Sequence, residues 1–174
     1  MNLALATIDV WALADDFSPE IFLRQLRILL RDGDVIAVGA YNPSRRLCTT
    51  LAALGATSTD ADAVYSVTFD LNRVEHPNGR SFEFTVSDAL INSLARETTR
   101  NDGQDDKALF FDHFVAYRRG APVVPLLCFH DAFFGGTLVL SGLYSEAQIK
   151  PFASALPSGY SLQRNPENYP NANT

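Results

Sequence analysis

The chain has 174 residues, 47% of them hydrophobic and 20% charged. That size and balance fit a single domain with a core large enough to need neither disulfide nor metal to hold it. A formal net charge of −6 and a pI near 4.9 exclude general nucleic-acid binding, which needs many Lys and Arg against phosphates, and a polybasic membrane-surface mode.

Leu3–Leu13 is apolar with Thr7 and Asp9 on alternate positions, a strand pattern. Ser18-Pro19-Glu20 then starts a helix: serine caps, proline suits the first helical position and glutamate favours the positive end. Phe22, Leu26, Leu29 and Leu30 follow at helical spacing, and Gly33 ends the helix in the left-handed conformation. The near-continuous apolar run from Val35 to Tyr41 predicts a strand covered on both faces. After Asn42-Pro43, a second helix runs from Ser44 through Leu54 on a Leu47–Leu51–Leu54 stripe and stops at Gly55, and Ala56–Asp62 reads as a polar connector.

Val64–Val74 is rich in β-branched and aromatic residues and reads as a strand, turning at Pro77-Asn78-Gly79 into the alternating Phe82–Val86. Ser87 or Asp88 caps a helix with Leu90, Ile91 and Leu94 inward, and Asn101–Asp106 is a loop. Leu109–Tyr117, Val123–His130 and Gly136–Leu143 predict a three-strand meander. Pro125 cannot donate to a ladder, so the second of these strands is placed at an edge or starts near Leu126. Ser145 opens a last helix in which Pro151 forces a kink or a late start. Residues 157–174, rich in Pro, Asn and Ser, read as an extended or disordered tail, partly pinned by Tyr160, Leu162 and Tyr169, after a globular unit of residues 1–156. The fold class is mixed α/β (α+β): a single sheet with helices on at least one face and a largely antiparallel C-terminal half.

Two mirrored polar insertions break the apolar C-terminal half, Phe111-Asp112-His113-Phe114 and Cys128-Phe129-His130-Asp131. A hairpin centred on Ala121 pairs Asp112 with His130 and puts Cys128 one step along the same face. A one-residue slip pairs His113 with Cys128, and a slip the other way pairs His113 with His130. In the first register Asp112 can orient His130 as a general base, and Cys128 can act as a nucleophile once its thiol is activated. His113, Cys128, His130 and an aspartate are also zinc-ligand types, but their spacing is not that of a zinc site, and neither metal nor cofactor is expected. The simpler reading has the polar side chains facing solvent, Phe111, Phe114, Phe129 and Phe133 in the core, and Cys128 as a small buried hydrophobe.

Ser44, Arg45 and Arg46 open a helix beyond the end of a buried strand, where backbone N–H groups and two guanidinium groups suit an anionic ligand. No phosphate-loop glycine pattern accompanies them, and a serine cap with two solvated arginines is the simpler reading. Arg118 and Arg119 are expected to face Asp105 and Asp106 as surface pairs. Cys48 and Cys128 lie outside any Cys-x-x-Cys pattern, which points to a reducing compartment. With no basic start at Met1-Asn2-Leu3 and no run of about 20 apolar residues, a cytoplasmic protein with no membrane partner is expected.

Two functions follow from these features. One is a non-catalytic cytosolic binding or regulatory module acting through protein–protein contacts, by an acidic surface or an exposed strand edge. The other is a small hydrolase or transferase using Asp112, His130 and Cys128, with Ser44, Arg45 and Arg46 holding an anionic substrate.

Overall fold

The computed structural model of the protein describes residues 6–9, 19–41, 45–60, 79–99, 113–120, 124–130, 137–141, 143–155 and 161–164. The expected strand at 64–74, the loop at 101–106, Trp11, His76 and the first two residues of the Pro77-Asn78-Gly79 turn lie outside them.

Pro19 opens helix α1 (Pro19–Gln25), and Glu20 accepts a hydrogen bond from Arg24 Nε at 2.9 Å one turn later. The helix tightens into a 3-10 turn at Leu26–Ile28 before Gly33, at φ 88°, redirects the chain into strand β2 (Val35–Tyr41). Gly55, also at φ 88°, follows α2 (Arg45–Ala53). Ser87 Oγ accepts the backbone N–H of Leu90 at 3.2 Å and so caps α3 (Asp88–Thr99). The last helix, α4 (Glu146–Ser154), starts on time and runs through Pro151, so the expected late start is not found. Ala147, whose carbonyl lost its helical donor to Pro151, is exposed, and water can satisfy it.

The remaining strands are β1 (Ala6–Asp9), β3 (Thr57–Asp60), β4 (Gly79–Thr85), β5 (His113–Arg118), β6 (Val124–His130), β7 (Thr137–Leu140) and β8 (Ser161–Arg164). With β2 they form one eight-stranded sheet in the order β3-β4-β2-β5-β6-β7-β1-β8, and every neighbouring pair is antiparallel. The α+β class and the β5-β6-β7 meander thus agree with the sequence. Two expectations change. The polar connector after Gly55 contains β3, which pairs with β4. And β6 is an inner strand between β5 and β7, not an edge. The tail, read as extended and partly pinned, carries β8, which pairs with β1.

Alternation along the strands sends Ile36, Val38, Phe82, Phe84, Phe114, Leu127, Phe129, Leu138 and Leu140 to one face. There they pack with Phe22, Leu23 and Leu26, with Leu47 and Leu51 of α2, with Ile91 and Leu94 of α3, and with Ile149 and Phe152 of α4. Phe22 is the hub: its ring lies 5.4 Å from Phe114, 5.3 Å from Phe129 and 6.3 Å from Phe152. On the opposite face Val35, Ala37, Val115 and Cys128 are buried too, so β2 is enclosed on both sides, as its continuous apolar run implied. Among the described residues no helix is long and apolar enough to cross a membrane.

Candidate functional site

The polar insertions meet on the β5–β6 ladder, and a bulge decides how. Near the loop the pairing is the one centred on Ala121, with Arg118 opposite Val124 and Tyr117 opposite Pro125. Between Ala116 and Tyr117 the register shifts, so that Ala116 faces Leu127 and Leu126 is the extra residue. Pro125 explains the position: it has no N–H for the ladder, and the β7 ladder begins only at Leu127, so the irregularity falls where β6 is paired on one side. Leu126 and Leu127 then both enter the core, at 1% and 0% exposure, which anchors the shift by apolar burial.

The consequence reaches the far end of the hairpin. His130 stands opposite His113, not Asp112, and Cys128 stands opposite Val115, not Phe114. The expected Asp112–His130 cross-strand pair is therefore replaced by a His113–His130 pair, the alternative slip that the sequence also permits. Asp112 itself, like Asp131, lies outside the described residues. Cys128 is 2% exposed, and burial pushes its thiol up to about 12. At neutral pH such a thiol keeps its proton, which works against the nucleophilic role expected of it.

Of the expected anion-binding residues, Arg45 and Arg46 open α2 and are exposed, while Ser44 lies outside the described residues. α2 follows β2 beyond Tyr41, and the β2–β5 ladder puts Gly39 opposite His113. The start of α2 therefore comes from the same end of the sheet as positions 113 and 130.

Two polar groupings stand where the sequence did not predict them. Asp34, just ahead of β2, receives a bidentate grip from Arg118 at the opposite end of the sheet from the histidines. On the other face, Tyr117 Oη donates to Glu83 Oε1 at 2.7 Å, with Arg119 Nη2 3.5 Å from Glu83 Oε2. Burial, reinforced by that carboxylate, pushes the Tyr117 hydroxyl up to about 12. So Arg118 is held by Asp34 and Arg119 lies beside Glu83, while Asp105 and Asp106, the expected partners, lie outside the described residues. The sheet brings these distant carboxylates next to the end of β5, and sequence proximity carried no such information. The one available signal was Asp34 itself, a charge placed against the most apolar strand, which needs a partner.

Among the described residues no group of three or more His, Cys, Asp or Glu side chains is placed to hold a metal ion. No protein-family model matches the chain, and neither does any curated protein or solved structure.

Proposed function

We propose that this chain is a non-catalytic binding or regulatory module that works through protein–protein contacts, with main-chain pairing at an edge of its sheet as the means. The observation that carries this reading is β3. Among the described residues it pairs only with β4 and ends the sheet, and Thr57 at its start is exposed. The strand is short and its sequence, Thr57-Ser58-Thr59-Asp60, is polar, and the outward N–H and C=O groups of such an edge can template a partner strand. The enclosed Cys128 adds support, because it weakens the competing enzymatic reading.

Alternate N–H groups of an edge strand face opposite ways, so one of Ser58→Pro and Thr59→Pro blocks the outer edge while sparing the β4 ladder. Affinity capture with the wild type, compared with whichever variant keeps the wild-type melting temperature, tests the reading. A protein retained by the wild type and lost from the variant is the expected result. A partner indifferent to both prolines would sink edge pairing.

One observation favours the hydrolase or transferase reading: the end of the sheet that carries positions 113 and 130 also leads into Arg45 and Arg46. In that case His130, no longer paired with Asp112, does the proton transfer and Ser44, Arg45 and Arg46 hold the anionic group. Hydrolysis of an anionic ester that His130→Ala abolishes, with no change in melting temperature, would replace the first reading with this one.

A further inference from the structure

We propose that His113 and His130 form a two-imidazole binding site for a divalent first-row transition ion of the Zn(II), Ni(II) or Cu(II) type, at the end of the β5–β6 ladder. The register carries the inference. The first residue of β5 and the last of β6 are directly opposed, and both are histidine. Opposed positions in an antiparallel pair hold their Cβ atoms about 4.5–5.5 Å apart on one face of the sheet. An ion shared by two imidazoles sits about 2.0–2.1 Å from each ring nitrogen, a span that directly opposed backbone positions allow. Imidazole is a ligand type that suits Zn, Ni and Cu.

Two further facts point the same way. The chain has three histidines, and two of them occupy this single register position on adjacent inner strands. The neighbour of His113 on the other side is Gly39 of β2, so the adjoining strand contributes no side chain at that point of the row. The site needs only the bulge at Leu126, which turns an expected Asp112–His130 pairing into a His113–His130 one. It is independent of the partner-binding reading, and its test has a separate readout.

The test is calorimetric titration of the metal-free full chain with zinc chloride. Saturable binding of a single ion is expected. His113→Asn and His130→Asn should each weaken it at least about tenfold, as loss of even an outer-sphere partner does, while His76→Asn leaves it unchanged. Because either variant can lose its fold, the wild type is also treated with diethyl pyrocarbonate with and without zinc and mapped by mass spectrometry. Zinc should shield His113 and His130. Absence of saturable binding, binding that survives the double variant, or equal modification of His113 and His130 with and without zinc would each overturn the proposal.

Discussion

Arg118 and Asp34, 84 residues apart in the chain, are joined by two parallel bonds, Nε to Oδ1 at 2.8 Å and Nη2 to Oδ2 at 3.1 Å. Asp34 Oδ2 also accepts the backbone N–H of Arg31 at 2.9 Å. The guanidinium fork matches the carboxylate, which explains how an aspartate exposed by only 2% sits against the core strand β2. The pair is unequal: the aspartate side chain is sealed, whereas the arginine side chain is 36% exposed.

That inequality predicts unequal mutants. Arg118→Ala strands a buried carboxylate and should lower stability by about 3–5 kcal/mol. Asp34→Asn leaves an arginine that water can reach and should cost less, about 1–3 kcal/mol. Urea unfolding of both variants checks the order, and equal losses would show that Asp34 is not sealed.

Cys128 predicts a loss of stability in alkali. Its folded-state thiol lies near 12, against an ordinary value of 9.0. Above about pH 9 the unfolded chain gives up this proton while the folded chain keeps it, so stability falls as pH rises from about 9 toward 12. Tyr117, pushed up to about 12 from 10.0, adds a loss of the same sign that begins one unit higher. Cys128→Ala should therefore show a flatter stability profile between pH 9 and 10 than the wild type. In the folded wild type at pH 8, iodoacetamide should leave Cys128 unmodified until denaturant is added.

Phe22 predicts the largest core effect. Fully buried and packed on Phe114, Phe129 and Phe152, it ties α1 to the middle of the sheet and to α4. Phe22→Ala should cost about 3–5 kcal/mol. Chemical denaturation measures it, and a loss below about 2 kcal/mol would mean that the ring cluster is not the hub of the core.

Tyr144 predicts a stabilising change. Its hydroxyl is buried with no hydrogen-bond partner among the described residues, and burial, then the Asp34 charge, pushes its titration well up. Leaving a polar group unpaired costs free energy that its removal returns. Tyr144→Phe should be neutral or stabilising by up to about 1 kcal/mol, read as an unchanged or raised melting temperature. A marked loss would show that the hydroxyl is satisfied in solution.

What the residues determined by themselves was local. Pro19 at a helix start, Ser87 as a cap, Gly33 and Gly55 at positive φ, and the inward Leu90, Ile91 and Leu94 are all settled within a turn or two of chain. Backbone sterics and helix-end hydrogen bonding act over that range. The buried run at β2 was legible for the same reason, since its pattern needs no knowledge of the neighbour.

What only the tertiary structure decided was which strand meets which, and in what register. Thr57–Asp60 and Ser161–Arg164 look like connector and tail because their hydrogen bonds are made to β4 and β1, not to themselves. Asp34 finds its cation on β5, and the Leu126 bulge moves His130 from Asp112 to His113. Strand pairing is a long-range choice set by burying Leu126 and Leu127 together beside a proline that cannot donate, and a one-residue shift exchanges every cross-strand partner beyond it.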